Sequence, residues 1–131
     1  MNEKIRYSID IAEYDLETAR VMLEGRRFLY VGFMCHQVIE KMLKGYFVSR
    51  KNDNPPYSHN LSYLANLCEI YDGMTEEQKN IIDLMEPLNI EARYPTYKEK
   101  LLKTLNYAKC EEIIRQTEEL YQWIKKQLLN G

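Results

Sequence analysis

The most constraining feature of the chain is the spacing of apolar residues in its first two dozen positions. Ile5, Ile9, Ala12, Leu16, Ala19 and Leu23 recur at alternating steps of four and three. That places them on one narrow stripe of an α-helix, the pattern of a helix that packs into a bundle. A helix is therefore expected over about residues 3–24, with Gly25 as its stop.

The next segment, about 27–51, is apolar over more of its circumference. Phe28, Val31, Cys35, Val38, Ile39, Met42 and Tyr46 share one face, and Leu29, Phe33, Leu43 and Phe47 widen the arc past half the wheel. A helix this apolar is expected at the centre, with neighbours on more than one side. The chain then meets Pro55-Pro56, so residues 52–57 read as a loop.

Four further readings complete the pass. Leu61, Leu64, Ala65, Cys68 and Tyr71 predict a third helix over about 59–72, ended by Asp72-Gly73. Thr75 with Gln78 three positions on is a capping box that opens a fourth, about 76–91, which Pro87 should kink or end early. Arg93-Tyr94-Pro95 reads as a non-helical corner, because the residue before a proline avoids the α region. Ala108, Ile113, Ile114, Leu120, Tyr121, Ile124 and Leu128 predict a last helix over about 107–129. Three long helices of roughly 33 Å at 1.5 Å per residue, with two shorter ones, make an all-α, five-helix up-and-down bundle. The length of 131 residues fits one domain spanning 1–131.

Charge narrows the function. The net charge is −2, whereas proteins that grip many phosphates carry an excess of Lys and Arg. Strong nonspecific nucleic-acid binding is thus disfavoured, and a local basic site remains open. Lys98, Lys100 and Lys103 form a modest basic cluster, read as solvated surface. Cys35, Cys68 and Cys110 lie far apart in apolar stretches and lack metal-ligand spacing. They read as buried thiols of a reducing, cytoplasmic compartment. Neither a signal-peptide core nor a run of the roughly 18 apolar residues that span a membrane is present, so no membrane partner is expected.

Glu40 is the most informative polar residue. On the wheel it falls among Leu29, Phe33, His36 and Phe47, where a carboxylate needs a partner. Lys44 is the local candidate and Arg93 the long-range one. The pair either fixes the corner after the fourth helix or contacts a ligand. His36 and Glu40 are four apart, but two ligands on one helix do not make a metal site, and none is expected. His36 reads as a packed, hydrogen-bonded ring, and His59 as a brace for the proline loop or a ligand contact. Asp15 and Lys44 are candidates to line a polar pocket. The 11 tyrosines fit bundle edges and a dimer interface.

The run Phe33-Met34-Cys35-His36-Gln37-Val38-Ile39-Glu40-Lys41-Met42-Leu43-Lys44 resembles the signature helix of HEPN domains. Asp15-Leu16 with Ala19, His59-Asn60-Leu61 and Arg93-Tyr94-Pro95 resemble three further motifs of that family, in the same order. The resemblance implies a five-helix domain that often dimerises, linked to nucleotides or RNA. Such domains commonly pair with a minimal nucleotidyltransferase in toxin–antitoxin or defence systems. The ligand-binding candidates are Arg93, Tyr94, Glu40, Lys44, His36 and His59, and no cofactor is expected. The family's ribonucleases use an Arg followed four to six residues later by a His. Here the positions after Arg93 hold Lys98, Glu99 and Lys100, so that motif is missing and no catalytic residue is assigned. A divergent ribonuclease using Arg93 with another acid–base group, and a purely structural interaction domain, are the alternatives.

Overall fold

The computed structural model of the chain describes residues 3–91 and 103–130. Its helices are α1 (Glu3–Glu24), α2 (Phe28–Lys51), α3 (Leu61–Leu67), α4 (Glu76–Glu91) and α5 (Tyr107–Leu129), with a 3-10 turn at Tyr71–Gly73. No strand occurs among the described residues. The all-α bundle expected from the apolar spacing is what forms. α2 is its axis and packs against α1, α3, α4 and α5. Val31, Cys35, Val38, Ile39, Met42 and Leu43 are all fully buried there, which explains why its apolar arc is so wide.

Close approach of the helices depends on two glycines of α2. A Cβ built on Gly45 would lie 2.8 Å from the Cβ of Ser8, so α1 could not keep its present distance. A Cβ on Gly32 would lie 2.6 Å from Leu88 Cδ1 of α4.

Helix ends follow the capping chemistry with two corrections. The Thr75–Gln78 box forms in both directions: the Gln78 N–H donates to Thr75 Oγ1 at 3.1 Å, and the Thr75 N–H to Gln78 Oε1 at 2.8 Å. Asn106 caps α5 by accepting from the Lys109 N–H at 2.8 Å. Gly25, however, is not the residue that turns the chain out of α1. Arg26 takes the left-handed conformation at φ 60°, while its N–H reaches Leu23 O and that of Arg27 reaches Met22 O. This is a Schellman ending with arginine at its left-handed position.

The second correction concerns α3. Apolar spacing predicts a helix to about residue 72, but α3 stops at Leu67. Glu69 adopts φ 62°, its N–H bonds Asn66 O and the Ile70 N–H bonds Ala65 O, again a Schellman ending. Ile70 is buried beyond it and anchors the turn. Pro87 likewise does not end α4, which continues to Glu91. Pro87 and Asp83, whose carbonyl loses its helical partner there, both lie on the exposed face, where water can take the place of the missing N–H.

The three cysteines are free and buried. Burial pushes the Cys35 thiol up to about 12 and those of Cys68 and Cys110 to about 11. Among the described residues, no helix is long and apolar enough to cross a membrane.

Candidate functional site

Where α2, the entry to α3 and α4 meet, polar groups converge on an otherwise apolar core. Glu40, on α2, is 5% exposed. Its Oε1 stands 2.9 Å from His59 Nδ1, and its Oε2 accepts from Lys44 Nζ at 3.1 Å. The carboxylate thus has a cationic or donor partner on each oxygen, which is the condition for keeping its charge under burial. The His59 side chain is 54% exposed, so one buried end and one open end characterise this pair.

The segment that carries His59 is held on both sides. Ser58 Oγ accepts from the Asn60 N–H at 3.1 Å, and Asn60 Oδ1 caps α3 by accepting from the Tyr63 N–H at 2.9 Å. The next amide, Leu61, donates to Glu86 Oε1 of α4, and the Leu61 side chain is fully buried. A carboxylate on the first N–H of a helix also meets the positive end of its dipole.

His36 lies one turn before Glu40 and is wholly buried. Its Nδ1 is 3.7 Å from Glu40 Oε1 and its Nε2 is 3.9 Å from Glu86 Oε2. Neither nitrogen has a hydrogen-bond partner among the described residues. The expectation of a packed ring holds and that of a hydrogen-bonded one does not. The ring sits between two carboxylates, just beyond bonding distance of each. Three residues before Glu40, Gln37 Nε2 donates to Oδ1 of the buried Asn89 at 3.3 Å, a second polar link between α2 and α4.

Asp15 and Lys44 do not share a pocket. Buried Asp15 pairs with Lys41 at 2.5 Å instead, joining α1 to α2, while Lys44 is turned to Glu40. Arg93 and Tyr94, with Lys98 and Lys100, lie outside the described residues, as does any link from Arg93 to Glu40; Lys103 is exposed. Among the described residues, no three His, Cys, Asp or Glu side chains are grouped as a metal ion would need. Of the sequence candidates, Glu40, Lys44, His36 and His59 come together.

Glu86 and Asn89 belong to the same cluster and escaped the sequence reading. Asn89 had a signal: it stands seven residues after Ile82 and four after Met85, on the buried face of α4. Glu86 sits at the edge of that face, and nothing in the local pattern separates it from a solvated carboxylate.

The family model described as HEPN domain matches residues 5–127. No curated protein and no solved structure matches the chain.

Proposed function

Because the chain belongs to the HEPN domain family, we propose that it is a nucleotide- or RNA-binding module whose site is the polar centre around Glu40, Lys44, His36 and His59. Arg93 and Tyr94 are further ligand-binding residues in the proposal. The observation that carries the reading is the buried Glu40 carboxylate, which presents a half-exposed imidazole and a lysine together at one edge of the bundle. Buried charge of this kind, with partners drawn from separate elements, concentrates at functional sites.

Recognition in this reading is local. With a net charge of −2, the protein has no broad field to attract a polyanion, so binding depends on a few placed donors. The module acts in the cytoplasm as a homodimer and partners a minimal nucleotidyltransferase of toxin–antitoxin or defence type. The location rests on the reading of the three cysteines as thiols of a reducing compartment, the dimer on the tyrosines and the family, and the nucleotidyltransferase partner on the family alone.

Calorimetric titration with nucleoside triphosphates and with a short RNA tests the reading. Saturable binding that is lost in Arg93→Ala and Lys44→Ala supports it. Absence of heat with folded wild-type protein counts against it and favours a purely structural domain, in which the Glu40 cluster serves packing only.

A further inference from the structure

We propose that the outward face of α1 is a docking surface for a basic amphipathic helix of another protein. The proposal goes beyond the ligand reading of the polar centre and does not depend on it.

The first argument is a second apolar stripe on α1. Ile9, Ala12, Leu16, Ala19 and Leu23 are buried, and α1 packs against α2 and α5. On the opposite side of the wheel, Tyr7, Ile11, Tyr14, Thr18 and Val21 recur at the same alternating steps of four and three. Tyr7 is 67% exposed, Tyr14 65% and Val21 64%. Ile11 and Thr18 are half-buried between them. Single exposed apolar side chains are ordinary on a protein surface. Five residues in heptad register along one helix make the seam of a helix–helix contact.

The second argument is charge, and it selects the occupant. Glu3, Asp10, Glu17 and Glu24 repeat every seven residues. They form an exposed acidic row along one flank of the stripe. Positions flanking a helical seam set partner choice and orientation. Glu24 accepts from the Tyr107 hydroxyl at 2.8 Å. Glu3, Asp10 and Glu17 have no ion pair among the described residues. By contrast, Glu112, Glu118 and Glu119 of α5 each pair with an arginine. The complement of this face is a helix with an apolar seam flanked by Lys or Arg.

The same row argues against a second copy of this chain. An antiparallel two-fold pairing of the stripe would set the row against its own equivalent, carboxylate facing carboxylate. A parallel pairing would set it against the other flank, Ser8, Asp15 and Met22, which carries no basic side chain. Neither arrangement neutralises the charge.

The test uses the full chain and a labelled synthetic peptide of about three heptads, with Leu along its seam and Lys on both flanks. A second peptide carries Glu in place of every Lys. Fluorescence anisotropy should show saturable binding of the Lys peptide that weakens with salt, and binding of the Glu peptide weaker by roughly tenfold or more. Tyr14→Ala should weaken the Lys peptide by roughly tenfold or more. Its melting temperature should match wild type, because the side chain removed is mostly exposed. Asp10→Lys with Glu17→Lys should reverse the preference in favour of the Glu peptide. Asp83→Lys with Glu111→Lys, the same change of charge at exposed positions on α4 and α5, should not reverse it. Folded wild-type protein that ignores the Lys peptide, or binds both peptides alike, overturns the proposal. Binding undiminished in Tyr14→Ala, or a preference reversed equally by the α4 and α5 changes, also overturns it. So does sedimentation that shows a dimer dissociated by Tyr14→Ala, since a second copy would then cover the face.

Discussion

The buried carboxylate of Glu40 on α2 meets the ring of His59, from the segment entering α3, at 2.9 Å. This contact joins positions 19 residues apart in the chain, and Lys44 occupies the other carboxylate oxygen. Glu40→Gln keeps the shape but removes the charge and turns an amide donor toward one of two donors. Urea unfolding should record a loss of about 1–3 kcal/mol, the usual cost of breaking a buried charged hydrogen bond. A change of only a few tenths would mean that the cluster contributes little to the fold.

Gly45 lets α1 and α2 approach. Alanine there gains about 1 kcal/mol of helix propensity, yet its Cβ would meet the Cβ of Ser8 at 2.8 Å, an atom tied to the α1 backbone. Overpacking of this kind costs about 1–3 kcal/mol. Gly45→Ala should therefore lower the melting temperature, and Gly45→Ala with Ser8→Gly should recover most of it. A single variant as stable as wild type would contradict the packing argument.

Glu69 holds a left-handed conformation at φ 62° on an exposed turn. Its only side-chain partner among the described residues is Lys51, at 3.3 Å on the surface, and exposed pairs of this sort are worth little. Glycine relieves the backbone strain, so Glu69→Gly should raise stability by about 0.5–1 kcal/mol. Thermal unfolding measures it; a lower midpoint would show that the Lys51 pair outweighs the strain.

Acid should destabilise the protein through two carboxylates, Glu13 of α1 and Glu112 of α5. The Tyr121 hydroxyl, and to a smaller degree Lys125, hold Glu13 below its usual range in spite of burial. Arg115, then Gln116, hold Glu112 down at about 2. A carboxyl lowered on folding stabilises in full above its unfolded value of about 4.3 and loses that contribution as pH falls through the folded value. Stability should drop between about pH 4.5 and 2, and Glu112→Gln should flatten part of that slope in chemical unfolding. An unchanged slope would contradict the assignment.

The sequence exposes the parts of the fold that depend on neighbours in the chain. α2 is legible from its apolar arc and the Pro55-Pro56 stop, and the start of α4 from Thr75 and Gln78. The end of α3 is not, because Cys68 and Tyr71 keep helical spacing past a turn set by the φ of Glu69. Glu40 is readable as a carboxylate in need of partners, and Lys44 as one of them. His59 as the other, and Glu86 behind His36, arise from packing between elements far apart in sequence, which no local pattern encodes.

The most direct test of the polar centre as the ligand site is backbone and imidazole NMR during titration with a short RNA and, separately, with nucleoside triphosphates. The shifts are expected to concentrate at Glu40, Lys44, His59 and Asn89, with the His59 ring moving most. Saturable shifts confined to other faces of the bundle, or no shifts at all with folded protein, would contradict the account.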